Sequence, residues 1–158
     1  MKNSFVELNG RQRAFSLVDE NSGRELVGPE YDMISPHLEP QKIVPESDDG
    51  VILVKGTLNG KNVVVISIEG KFQGGGIGEV SGAKIVAALE EALDDNKNGK
   101  TIYPIIILDT GGVRLQEANY GLLSISEIQN SVIALKKYVP VIGLVPGRVG
   151  SFGGMSIT

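Results

Sequence analysis

Residues 103–112 read YPIIILDTGG, an apolar run without polar alternation that closes on an aspartate, a threonine and two adjacent glycines. A half-exposed strand alternates apolar and polar side chains, whereas a strand covered on both faces does not, so the run predicts a strand inside a parallel sheet. Its ending is as informative as its middle. Glycine strips the side chain from the backbone and lets another group approach the main-chain amides. The sequence then surrounds that bare backbone with Arg114, Gln116 and Glu117.

Reading outward in both directions gives an alternation of strand, glycine loop and helix. Upstream, VILVKGT (51–57) and NVVVISIEG (62–70) flank Asn59-Gly60, the pattern of a β-hairpin. The stretch FQGGGIGEVSGAKIVAALEEALDDNKNGK (72–100) is a glycine loop feeding a helix with an Ala, Val, Ile and Leu face, closed by Asn98 and Gly99 in C-cap position. Downstream, one helix is expected from Leu115 to Tyr138, then Pro140 and a covered strand VIGLV (141–145), then PGRVGSFGG (146–154) leading to a helix start near Gly153. The order is that of an α/β protein. The sequence stops at Thr158, before that helix could form, so it reads as the amino-terminal part of a longer protein with its last strand open on one face.

Residues 1–50 are organised differently from 51–158. RQRAFSLVDE (11–20) reads as a short amphipathic helix, and Gly28–Gly50 carries Pro29, Pro36, Pro40 and Pro45, which deny long regular elements. This segment is an arm or cap on the domain that follows.

Composition narrows the function classes. With 158 residues, 41% hydrophobic and 22% charged, the chain is an ordinary globular domain. A net charge of −4 offers no basic stripe for nucleic acid. Cysteine is absent and His37 is the single histidine, which removes thiolate chemistry and leaves no expected metal site. Neither a leader-like apolar segment nor a run of about 18 apolar residues occurs, so a cytoplasmic protein without a membrane partner is expected. Glycine is the outlier, at 21 of 158 residues, clustered at 74–78, 111–112 and 147–154.

The familiar glycine motifs do not fit. A GxGxxG fingerprint starting at Gly74 would need glycine where Glu79 stands, and Asp109 lies 35 residues beyond Gly74 rather than about 20. The Walker pattern is missing, and GMSIT (154–158) has Thr158 where a nucleophile elbow needs its second glycine. What remains is backbone: loops at carboxyl ends of parallel strands and at a helix amino terminus present N–H groups to an oxyanion. Two amides converging from separate loops would form an oxyanion hole. The alternative is that these glycines make tight turns and bind nothing. Asp109 at a strand end and Glu117 early in a helix could be general acids, but Glu117 is equally explained by interaction with the helix amino terminus, and a catalytic role is the lesser reading for either. Arg114 reads equally as an anion ligand or as one half of an ion pair.

Several segments together carry a resemblance. FQGGGIGEVSGAKI, DTGGVRLQEANYGL, PVIGLVPGRVGSFGGMS, RQRAFSLVDE and ISPHLEPQKIVPESDDGVILVKGTLNGK resemble, in order, the beta subunits of biotin-independent malonate decarboxylases. That group is similar to the carboxyltransferase half of acyl-CoA carboxylases and has the crotonase fold, built of strand-strand-helix superhelical repeats. A chain of this length would end after about three parallel strands of it. The resemblance spans about Asn9 to the end. It implies decarboxylation of a malonyl thioester, carried on the phosphopantetheine-type group of an acyl carrier protein, with a gamma subunit of related fold completing the site. It further implies oxyanion donors in Gly111, Gly112 and Val113 and in Phe152, Gly153 and Gly154. Gly74, Gly75 and Gly76 would line the same cleft, with Arg114, Gln116, Glu117 and Ser151 toward substrate. Lys55, Lys71 and Arg148 are the candidates for a carrier or cofactor phosphate. A biotin-dependent acyl-CoA carboxyltransferase beta chain, another acyl-CoA decarboxylase and a noncatalytic scaffold subunit are the rival readings.

Overall fold

The computed structural model of the chain describes residues 4–147, 149–153 and 155. Arg148 and Gly154, both singled out above, lie outside the described residues.

A helix α1 (Gly10–Leu17) opens the described chain, its first turn closed by the Asn9 side chain, which accepts from Gln12 N. A short strand β1 (Arg24–Leu26) follows, then the hairpin β2 (Val51–Leu58) and β3 (Lys61–Ile68), which turns at Asn59 and Gly60, both at positive φ. The rest repeats one unit. A two-residue strand β4 (Gly76–Ile77) leads into α2 (Glu79–Lys97); β5 (Tyr103–Ile107) and a second two-residue strand β6 (Gly112–Val113) lead into α3 (Asn119–Leu135); β7 (Ile142–Leu144) closes the series.

The main sheet has five strands in the order β1-β2-β3-β5-β7. The first three are antiparallel, and β3, β5 and β7 are parallel, with Val65 opposite Ile105 and Ile105 opposite Ile142. The small strands β4 and β6 form a separate parallel pair beyond the carboxyl ends of β3 and β5. Alternation along β5 explains its apolar run. Ile105 and Ile107 pack with Ala14 of α1, Ile52, Val54, Val63 and Val65 on one face, while Ile106 and Leu108 join the larger core under α2 and α3 on the other. Helices cover both faces, as the sequence requires. The last strand is open, with Ile142 40% exposed. Among the described residues no helix is long and apolar enough to cross a membrane.

Two expectations need correction. The helix expected over Leu115–Tyr138 is broken: Leu115–Glu117 is a single 3-10 turn, Ala118 takes φ 43° and ψ −112°, and α3 begins only at Asn119. Glu117 sits at the break. Its carboxylate turns inward and accepts from the Glu79 amide at the start of α2. The second correction concerns the arm, which is more than a cap, because β1 within it adds a strand to the sheet.

Candidate functional site

Ligands of open α/β sheets bind beyond the carboxyl ends of the parallel strands, and here all three glycine loops gather at that edge. Thr110 is their hub. It is fully buried, its hydroxyl donates to Gly75 O (2.5 Å) and accepts from Gly112 N (3.0 Å), and its own amide donates to Gly150 O (2.8 Å). Phe152 N returns a bond to Thr110 O (3.1 Å), and Thr110 pairs with Ser151 in a parallel bridge. Gly111 N donates to Gly74 O (2.9 Å), tying the first loop to the second. Thr110 was not singled out from the sequence, although it sits beside the glycine pair that was.

The loops meet at Gly112 and Gly153. A Cβ built on Gly112 would lie 3.2 Å from Gly153 Cα and 3.2 Å from Phe152 O; one built on Gly153 would lie 3.2 Å from Gly112 Cα. Both residues hold positive φ, 95° and 61°, so glycine is required here by backbone angle and by space alike. Arg114 N donates to Ile77 O across the β4–β6 pair (2.9 Å). Successive amides of a strand point to opposite sides, so the Val113 amide is directed away from β4. Val113 N lies 3.8 Å from the Cβ point of Gly153.

These hydrogen bonds give the residues expected at the site different roles. The amides of Gly111, Gly112 and Phe152 are committed to Gly74 O, Thr110 Oγ1 and Thr110 O, so they brace the loops instead of facing a ligand. Gly75 is buried against the backbone of Asp109 and Thr110, and Gly76 accepts from Arg114 Nε (3.2 Å), so both serve packing. Val113 and Gly153 are where main chain from two loops comes together. Gly74 is exposed, as are Gln116 and the Phe152 side chain. The Ser151 hydroxyl is buried with no hydrogen-bond partner, one of two such side-chain atoms among the described residues. Buried polar atoms are almost always paired, so an orphan in this position marks the loop.

The charged residues of the motif are structural. Arg114 is 1% exposed; its Nη1 bridges Asp49 Oδ1 (2.6 Å) and Glu117 Oε1 (2.9 Å). Glu117 also accepts from Ser35 Oγ (2.5 Å) and Glu79 N (2.6 Å). The expectation that Arg114 and Glu117 meet substrate is therefore corrected, because both point into the protein. Burial alone would raise the Glu117 pKa, but the Ser35 hydroxyl, the Glu79 amide and Arg114 outweigh it and hold the carboxyl below its usual range. All of these partners lie inside the protein, so the carboxylate is engaged there. Burial raises the Asp49 carboxyl, only partly offset by Arg114, as expected where one guanidinium serves two buried carboxylates. Asp109 is likewise occupied: Arg13 Nη1 donates to its Oδ2 (2.7 Å) and Val149 N to its Oδ1 (3.0 Å).

Of the cations expected near a phosphate, Lys55 pairs with Glu91 (2.6 Å) and Asp95 (3.2 Å) on the hairpin and α2, far along the sheet from its carboxyl edge. Lys71 lines a cleft of about 520 Å³ with Arg13, Glu69, Gly70, Asp109 and Val149, directly beside the loops. His37 contacts Glu79 Oε2 through Nε2 (2.6 Å) and stacks on Tyr120, which makes it part of the arm's attachment. Among the described residues no group of three His, Asp or Glu side chains is placed to hold a metal ion.

Comparison with known proteins places the chain in a family. The carboxyl transferase domain family matches residues 11–156. A malonyl-S-ACP:biotin-protein carboxyltransferase of Malonomonas rubra is 42% identical over 96% of the chain and 51% of its own length. Within a Pseudomonas malonate decarboxylase hetero-tetramer solved with malonate, one chain superposes with a TM-score of 0.96 at 54% identity, over 98% of this chain and 56% of that one. A transcarboxylase 12S structure superposes with a TM-score of 0.75 at 27% identity, over 88% of this chain and 26% of that one. The α/β fold is thus the crotonase-like fold of carboxyltransferases. The chain spans about half the length of the curated relative it matches.

Proposed function

Because the chain belongs to the carboxyl transferase domain family, we propose that it serves as a beta-type subunit of a malonate decarboxylase. Its substrate would be a malonyl thioester on the phosphopantetheine-type arm of an acyl carrier protein, and a gamma subunit of related fold would complete the site. The Pseudomonas hetero-tetramer and the carrier-linked substrate in the name of the Malonomonas rubra relative support this reading.

The observation that carries it is the Gly112–Gly153 contact. In the reaction, the bond between the carboxylate carbon and the alpha carbon breaks and carbon dioxide leaves. The electron pair delocalises as an enolate onto the thioester oxygen, and a proton then reaches the alpha carbon to give the acetyl thioester. The barrier falls when fixed donors meet the developing oxyanion, and one such donor is commonly worth about 10² to 10³ in rate. The Val113 amide is assigned to that oxygen, at the point where the Gly153 loop packs against Gly112. Gln116, Gly74 and the Ser151 hydroxyl are assigned to the substrate around it, and Lys71 to a carrier phosphate at the adjoining cleft.

The name of the 42%-identical relative favours a second reading, transfer of the released carboxyl group to a biotin protein. Both reactions break the same bond and differ in where the carbon dioxide goes. The test is to assemble the chain with its gamma subunit and offer malonyl on carrier protein, malonyl on coenzyme A, and a biotin protein as acceptor. Carbon dioxide release confined to the carrier-bound substrate supports decarboxylation; dependence on the biotin protein selects the second reading. No turnover with any of them would leave a scaffold role.

A further inference from the structure

Two of the three loops of the site are fastened by side chains from the first fifty residues. Asp49 and Ser35 hold Arg114 and Glu117 behind the Gly111–Gly112 loop. Arg13 of α1 holds Asp109, and Asp109 holds Val149 in the 149–153 loop. The Arg13–Asp109 pair is the more telling, because the two residues are 4% and 5% exposed and stand 96 positions apart. A buried ion pair gives little net stability over an apolar pair of the same volume. Its geometry gives it another use.

Asp109 leaves β5 immediately before Thr110, and its two oxygens face different ways. One takes Arg13; the other takes the Val149 amide, two residues before Ser151 bridges to Thr110. Arg13 is itself fixed, with Nε donating to Phe5 O (3.2 Å) and Nη2 to Val6 O (2.8 Å). The surroundings make room for this carboxylate: a Cβ on Gly70 or on Gly147 would fall on it, so both neighbouring loops carry glycine where they pass Asp109. We infer that the Arg13–Asp109 pair is a positioning device, through which α1 sets the 149–153 loop at the distance that brings Gly153 against Gly112. The tie itself needs no assumption about chemistry; its effect on turnover rests on the proposed function.

The double variant Arg13→Gln with Asp109→Asn tests this, since it removes both charges, keeps a neutral hydrogen-bonding couple and leaves no buried charge unpaired. Hydrogen exchange should show the Val149 and Phe152 amides exchanging about tenfold to hundredfold faster, the equivalent of one hydrogen bond to a charged group. Val65 and Ile106 in β3 and β5 should keep their rates. In the assembled enzyme kcat should fall while KM holds, and Arg13→Lys opposite native Asp109 should recover most of both signals. Equal acceleration at Val65, Ile106 and Val149 would reduce the pair to ordinary core and overturn the inference, as would unchanged protection at Val149 and Phe152. A loosened loop with unaltered turnover would support the tie and overturn the oxyanion assignment instead.

Discussion

Replacing Gly112 with alanine tests the loop contact most directly. The new Cβ would sit 3.2 Å from Gly153 Cα, 3.2 Å from Phe152 O and 3.3 Å from Gly153 N, all main-chain atoms that cannot swing aside. The residue would also have to keep φ at 95°. Together the backbone angle and the contact should cost about 1–3 kcal/mol. For a domain of this size that is a fall in Tm of about 3–9 °C. The loops must part by a few tenths of an ångström, and since a full 1 Å misplacement costs about 10²-fold, kcat should fall on the order of tenfold with KM little changed. Gly99→Ala is the control: it holds φ at 80° beyond α2 with nothing within 4 Å of its Cβ point. It should lose stability through the backbone angle alone and leave turnover intact. Thermal unfolding by circular dichroism and carbon dioxide release from malonyl carrier protein would be measured on both. If Gly112→Ala destabilises no more than Gly99→Ala and keeps full kcat, the two loops do not work as a closely fitted pair.

Other substitutions separate the remaining roles. Val113→Pro deletes the amide assigned to the enolate oxygen and should lower kcat about 10² to 10³; wild-type turnover in a folded variant would remove Val113 from the site. Thr110→Val strands Gly75 O and Gly112 N and should cost about 2–4 kcal/mol in denaturant unfolding, whereas Thr110→Ser should recover most of it; equal losses would deny the hydroxyl its hub role. The Glu117 carboxyl is held below its ordinary 4.5, so it adds stability that is complete above that pH and is lost as pH falls through the lowered value. Glu117→Gln should flatten that part of the acid unfolding profile, and an unchanged profile would contradict the assignment. Ser35→Ala removes one of the bonds to Glu117 and should cost about 1–2 kcal/mol, with faster exchange at the Glu79 amide as its local signature.

These outcomes also mark where sequence reading succeeds and where it stops. The hairpin at Asn59-Gly60, the doubly covered strand at Tyr103–Ile107 and the helix ending before Asn98-Gly99 were legible because each is set by a local rule of turn chemistry, alternation or capping. The carboxyl-edge placement of the glycine loops followed from that order. Which amides those loops expose did not follow, because an amide's direction is fixed by its partner, and the partners lie far off in sequence: Gly74 O for Gly111, Thr110 O for Phe152. The same holds for charge. Arg114 and Glu117 stand three apart in a polar stretch that reads as surface, yet both are buried against Asp49 and Ser35 of the arm, and the helix begins only after Ala118. Local pattern therefore places the bare backbone at the right edge of the sheet. Which of its amides are committed inside the protein is settled by partners distant in sequence, Gly74 O and Thr110 for the loop amides and the first fifty residues for Arg114 and Glu117.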